Sequence, residues 1–345
     1  MKHGLRWLVC IFLACTLTTA SADTFEDTVL RKAIQAYQIQ PHTPVERKFG
    51  AKEILGQALF FDPFVSGPKK IACAACHVRS KGAGDGIRLA VGLGAEGVST
   101  ERLEAKEAFI VPRNALPFFN RGSTDFRAFF WDGRVQFGPN GQMESPLGKR
   151  LPPGFENLLA VAAVFPPAEP DEMLGRSWER SSRKTYHAEL VTLRGESENF
   201  QERTLNVFGN LVARLLGTKE ATPNATSLTY RKLFAEAYPG TPIEKIGISH
   251  VGNALSAYIA AAFELKPAPW DIYVSGDKSS LSLAQKKGGV IFFGKGRCVV
   301  CHSGTQFSDF QFHGLALPQL RVGKHSSYID YGRAAATSRG EDRFA

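Results

Sequence analysis

Two Cys-x-x-Cys-His pentads, Cys73-Ala74-Ala75-Cys76-His77 and Cys298-Val299-Val300-Cys301-His302, constrain this chain more than any other feature. The C-x-x-C-H spacing is the attachment pattern of c-type haem. Two thiols on one helical turn reach the two vinyl groups, and the adjacent histidine presents its imidazole to the iron. Two pentads predict two covalently bound haems. Of the six cysteines, Cys10 and Cys15 fall near the N-terminus and the other four all sit in the pentads. None remains for a disulfide framework. A thioredoxin-like redox pair or a zinc site shared between the pairs would use the same thiols. Neither requires a histidine directly after each pair.

Residues 1–22 read as a secretory leader. Lys2 and Arg6 form its charged start, Trp7 to Thr18 its short apolar stretch, and Ala20-Ser21-Ala22 its cleavage site. Export to the periplasm is the expected location, because c-type haem is attached outside the cytoplasm. The apolar stretch is too short to span a bilayer, and no later segment reads as a membrane span. The length of 345 residues suggests more than one small cytochrome. Two domains are expected, residues 23–240 and 241–345, divided at the turn signal Tyr238-Pro239-Gly240. The net charge of +9 is spread along the chain without an aromatic-interleaved basic patch. Nucleic-acid binding is therefore not favoured, and a surface that steers an acidic redox partner is.

A weak internal repeat sits in register with the pentads. Gly56-x-x-x-Phe60-Phe61 precedes the first and Gly288-x-x-x-Phe292-Phe293 the second, with Asp85 and Asp309 following the two histidines. Helical periodicity predicts helices over 25–36, 52–60, 204–216 and 246–265. In the last, apolar residues at 251, 254, 255, 258, 259 and 262 form one buried face. Strand-like alternation is rare, and Pro- and Gly-rich loops occupy 62–68, 81–98, 138–154 and 165–175. The expected fold is mostly α, two cytochrome c-like haem domains with long loops.

From about Leu55 onward the chain resembles the bacterial di-haem cytochrome c peroxidases and their MauG relatives. The resemblance rests on Leu59-Phe60-Phe61-Asp62-Pro63, Pro112-Arg113-Asn114, Phe130-Trp131-Asp132-Gly133-Arg134 and Glu172-Met173. It continues through Trp270-Asp271-Ile272-Tyr273, Gly276-Asp277, Cys301-His302-Ser303-Gly304, Asp309 and Gly332-Arg333. It implies a peroxidatic first haem on His77 and an electron-relaying second haem on His302. Trp131 then matches the tryptophan between the two haems, and Arg134 is placed to pair with a propionate. Glu172 matches the distal acid that moves a proton between the peroxide oxygens, with Gln142 and Phe130 as further pocket residues. Asn114, with backbone carbonyls near Thr337 and Arg339, matches the ligands of a Ca²⁺.

Two departures from the family pattern matter. Peroxidases that require reductive activation carry a loop histidine that blocks the first haem. Here that loop reads Ala90-Val91-Gly92-Leu93-Gly94, with leucine at the histidine position. Leucine cannot ligate iron, so an open first haem is expected. The chain also stops at Ala345, just before the family segment that supplies Met or Tyr to the second haem. None of His42, His187, His250, His313 or His325 stands in a ligand-like context.

The activity implied is reduction of hydrogen peroxide with electrons from a small cytochrome c or cupredoxin, and a homodimer is an assembly it permits. The alternatives are a MauG-like oxidase that modifies a partner protein and a non-catalytic di-haem electron carrier.

Overall fold

The computed structural model describes residues 23–104, 108–111, 113–175, 190, 199–219, 222–315 and 330–337. The leader at 1–22, Pro112, His187, His325 and Arg339 lie outside these residues. The helices are α1 (Phe25–Ala36), α2 (Ala51–Phe61), α3 (Leu158–Ala163), α4 (Phe200–Leu216), α5 (Ala225–Ala237), α6 (Ile248–Ala262), α7 (Pro269–Val274), α8 (Leu283–Phe293) and the single turn α9 (Ala334–Thr337). Strands β1 (Ala128–Phe129), β2 (Val135–Phe137) and β3 (Met143–Glu144) form a small antiparallel sheet in sequence order. The fold is mostly α with long loops.

Local chemistry fixes where the helices start. Thr24 closes a capping box around α1. The Asn199 side chain accepts from the Gln201 and Glu202 N–H groups, so α4 begins four residues before its apolar period does. Helix α5 was not anticipated from periodicity, because its buried stripe is only Ser227, Tyr230 and Phe234. In α3, Leu158 to Ala162 are all buried, which leaves no period to read.

Contacts divide the chain into two compact units, one of residues up to His42 with Pro267–Asp309 and one of Thr43–Lys266 with Phe310–Ala345. The expected boundary at residue 240 is thus displaced. Helix α6, which follows it, is the centre of the larger unit and not the start of another. Its apolar face, Val251, Ala254, Leu255, Tyr258 and Ile259, is buried against α2 and α3. The crossings are close. A Cβ on Gly56 of α2 would collide with the Ala254 carbonyl, and one on Gly252 of α6 with that of Ala160 in α3. Glycine lets the backbones meet there.

In the larger unit the guanidinium of Arg214 on α4 clamps the loop after α2. It donates to the carbonyls of Phe64 at 2.9 Å, Ser66 at 2.6 Å and Gly67 at 3.3 Å. The β1–β2 hairpin pairs Phe129 with Val135 and so presents the tight turn Phe130–Arg134.

The smaller unit packs α1 on α8 around a buried polar cluster. Asp27 is only 3% exposed. Its Oδ1 takes the Lys286 ammonium at 2.8 Å and the Tyr273 hydroxyl at 2.7 Å. Trp270 stacks between Tyr273 and Phe293 at centroid distances of 5.9 and 5.6 Å.

Candidate active site

The first pentad winds as a 3₁₀ turn over Cys73–Ala75. Cys76 and His77 both donate their N–H groups to the Cys73 carbonyl, at 3.2 and 3.0 Å. This turn brings Cys73, Cys76 and His77 together on a cavity of about 470 Å³ in the larger unit, a size ordinary for a cofactor site. His77 Nδ1 lies 3.1 Å from the Ala83 carbonyl. A carbonyl only accepts, so Nδ1 carries the proton and Nε2 keeps its lone pair for a metal. The ring stacks on Phe118 at 3.7 Å and 11°. Burial pushes the imidazole down to about 4, against the raising effect of the Ala83 and Leu116 backbone. The ring is therefore neutral, the form that ligates iron. Burial also pushes Cys73 up to about 12 and Cys76 up to about 11. Thiols held so far towards their protonated form do not suit a thioredoxin-like redox pair.

Trp131, Arg134, Asn114, Phe130 and Glu172 line the same cavity. The Arg134 guanidinium lies 4.2 Å over the Phe130 ring, and its Nη1 is 3.6 Å from Asp132. Among the described residues its Nε is buried without a hydrogen-bond partner. A buried donor left open at a cavity edge suits an anionic group such as a haem propionate. With two thiols, a neutral imidazole and this orphaned guanidinium N–H converging, the residues present fit a c-type haem. Trp131 is 42% exposed, and its Nε1 donates to the Asn114 carbonyl at 2.8 Å.

Glu172 sits in a π-helical turn, Pro170–Leu174, with Glu169 as its N-cap. Two glycines seat this turn. A Cβ on Gly92 would meet the Asp171 carbonyl, and one on Gly67 the Leu174 carbonyl. Leu93 donates to the Asp171 carbonyl at 3.0 Å, and Gly67 to the Met173 carbonyl at 2.8 Å. Glu172 keeps some accessible surface because it faces the cavity, but protein encloses its other sides. Burial, then the charge of Glu169, pushes it up to about 7, with Arg134 opposing.

The loop opposite the sequence expectation of a blocking histidine is also explicit. Leu93 is 2% exposed and points into the core, so only Ala90, Val91 and Gly92 of that loop reach the cavity. Arg102, 1% exposed, holds the loop from behind. It donates to the carbonyls of Val91 at 3.0 Å, Gly92 at 2.5 Å and Gly97 at 3.2 Å. Gln142 is not part of the pocket. It is exposed at the β2–β3 turn, where its amide donates to Glu144 at 3.1 Å, because a two-stranded turn carries it to solvent. Sequence reasoning missed Glu169, Arg102 and Phe118. Glu169 carried a signal in its spacing of three residues before Glu172, whereas Arg102 and Phe118 carried none.

Asn114 donates its amide N–H to the Ile87 carbonyl, and its Oδ1 takes no hydrogen bond among the described residues. That oxygen suits a hard cation. Thr337 donates its hydroxyl to the Arg333 carbonyl at 3.3 Å, and Arg339 lies outside the described residues, so the three expected Ca²⁺ ligands are not seen assembled. His250 Nδ1 accepts from the Gly247 N–H at 3.1 Å and caps α6.

The second pentad, in the smaller unit, repeats the first turn. Cys298–Val300 is a 3₁₀ turn, and Cys301 and His302 donate to the Cys298 carbonyl at 3.3 and 2.9 Å. His302 Nδ1 lies 3.0 Å from the Phe307 carbonyl, which fixes the same tautomer as in His77. The two motifs therefore share one local solution.

Comparisons with known proteins agree with this geometry. A sequence model described as di-haem cytochrome c peroxidase matches residues 50–279. The methylamine utilization protein MauG of Methylorubrum extorquens is 28% identical over 301 residues, covering 87% of this chain and 63% of that protein. The cytochrome c peroxidase Ccp of Escherichia coli is 24% identical over 307 residues, covering 88% of this chain and 49% of the relative. The chain thus spans between 49% and 63% of the length of these two relatives. A crystal structure of a MauG-like protein associated with microbial copper homeostasis shares the fold, with a TM-score of 0.51 at 21% identity, covering 89% of this chain and 71% of that one. No helix among the described residues is long and apolar enough to cross a membrane. With the family's sequence pattern matched over most of the chain and its pentad, tryptophan turn and acid gathered on one cavity, this chain belongs to the di-haem cytochrome c peroxidase family.

Proposed function

We propose that this chain is a di-haem peroxidase that reduces hydrogen peroxide to water, with electrons from a small periplasmic cytochrome c or cupredoxin. The reading is carried by one observation, the presence of Glu172 in the same cavity as Cys73, Cys76 and His77. His77 and the two thiols would hold the first haem, and Cys298, Cys301 and His302 the second. Haem supplies the redox centre that accepts and passes single electrons. Arg134 would pair with an anionic edge of that cofactor. Glu172, pushed up towards neutrality by burial and by the charge of Glu169, takes a proton from one oxygen of hydrogen peroxide and returns it to the other. The buried Leu93 keeps the loop over the cavity free of side-chain ligands. A Ca²⁺ on Asn114 belongs to the same reading, as does export to the periplasm.

The test is steady-state oxidation of ferrocytochrome c by peroxide with the haem-loaded chain. Glu172→Gln is expected to lower turnover roughly a hundred- to ten-thousand-fold, with two covalent haems per chain retained by pyridine haemochrome assay. Undiminished turnover in that variant would overturn the reading. The half-exposed Trp131 on the cavity favours one rival, a MauG-like oxidase acting on a partner protein by electron transfer through the indole. Such an enzyme would turn over ferrocytochrome c poorly, and adding its protein partner would restore peroxide consumption.

A further inference from the structure

The reaction cavity holds a second glutamate for which the proposed chemistry has no task. Glu169 lines it beside Glu172, three residues earlier on the same turn. The backbone fixes their relation. The Glu169 carbonyl accepts from Met173 at 3.1 Å and Leu174 at 3.0 Å, and the Pro170 carbonyl accepts from Gly175 at 3.0 Å. Gly67 and Gly92 hold the turn from outside. The turn thus holds the two residues on one short stretch of backbone at the cavity wall. We propose that Glu169 is a positioning residue whose negative charge sets the proton occupancy of Glu172, and so the pH at which the acid becomes able to accept a proton from peroxide.

Cys76 and His77 face the pair's cavity from the pentad, and the charge of Glu172 bears on Cys76. Arg134 and Asp132 face it from the hairpin turn, Arg203 from α4, and Asp171 from the π-turn itself. Arg113 and Asp330, also on the cavity wall, are paired with each other. Burial raises Glu169 too, with Arg134 and Arg203 pulling it down and Asp171 and Asp132 pushing it up. Among the described residues Arg134 opposes the burial of Glu172, while the charges of Glu169 and Asp171 add to it. Arg134 and Arg203 oppose the burial of Glu169, and a charge on Glu169 disfavours a second one on Glu172. Carboxyls coupled in this way titrate as a pair.

This inference rests on Glu172 as the peroxide acid, and its test separates the two. The haem-loaded ferric chain is titrated with fluoride at a series of pH values and followed by haem absorption. In the unsubstituted protein, fluoride affinity is expected to fall as Glu172 ionises, and the rate of reaction with peroxide to rise over the same range. Glu169→Gln is expected to move both midpoints to lower pH, while Glu169→Asp, which keeps the charge, leaves them in place. Glu169→Ser provides a second neutral variant should the glutamine protein not load haem. Unchanged midpoints in the neutral variant, or equal shifts in the aspartate and neutral variants, would overturn the proposal. Loss of the fluoride break and of turnover in Glu172→Gln upholds the parent reading whichever way Glu169 behaves, and their retention overturns it.

Discussion

Arg102 illustrates how much of the cavity depends on residues that never reach it. Its guanidinium is buried and donates to three carbonyls of the loop whose other side faces the site. Its charge also lies near the buried carboxylate of Asp85, which burial raises and the Ile87 N–H and Arg102 pull down. Arg102→Met is expected to destabilise the fold by about 3–5 kcal/mol, since it leaves three carbonyl acceptors without their donor. A denaturant midpoint measures this. Arg102→Lys is expected to recover only part of the loss, because a single ammonium cannot reproduce the fork. The two pentads were legible in the sequence because an attachment motif needs fixed spacing. Glu172 became legible through its neighbours in the chain. Arg102 was not legible, because its role depends on loop carbonyls brought to it by tertiary folding.

At the scale of elements, the α2–α6 crossing decides how the larger unit is built. Gly56→Ala places a methyl against the Ala254 carbonyl, and destabilisation of about 1–3 kcal/mol is expected from the forced helix separation. Urea unfolding that left the midpoint unchanged would refute the close contact. Periodicity showed α6 as a buried helix but could not show what it was buried against. A turn signal such as Tyr238-Pro239-Gly240 marks a change of direction, and chain direction alone does not define a domain. Here the helix after the turn folds back onto the one before the first pentad. The hairpin turn Phe130–Arg134 escaped as structure for a different reason. Strands of two and three residues carry too few positions to display an alternation.

For the whole molecule, acid and salt are the informative variables. Burial raises Asp27, but the bonds from Lys286, Thr24 and Tyr273 outweigh it and hold the carboxyl well below the usual range. A carboxyl lowered in the folded state adds stability above its unfolded value of ~3.9 and loses it as pH falls further. The smaller unit is therefore expected to lose stability progressively below about pH 4. Asp27→Asn should weaken that dependence, as read by thermal melts across pH. The excess of basic residues leads to a second expectation, that turnover with an acidic donor falls as ionic strength rises. A rate insensitive to salt would exclude electrostatic steering. One local feature reaches furthest. Leu93 is fastened by a backbone hydrogen bond to Asp171, next to Glu172, and Gly92 packs against the same carbonyl. Under the proposed function, a gate swinging in that loop would drag Glu172 out of register each time it moved. Readiness without a priming electron would then be wired into the backbone, and engineering an off-state would require cutting Glu172 loose first.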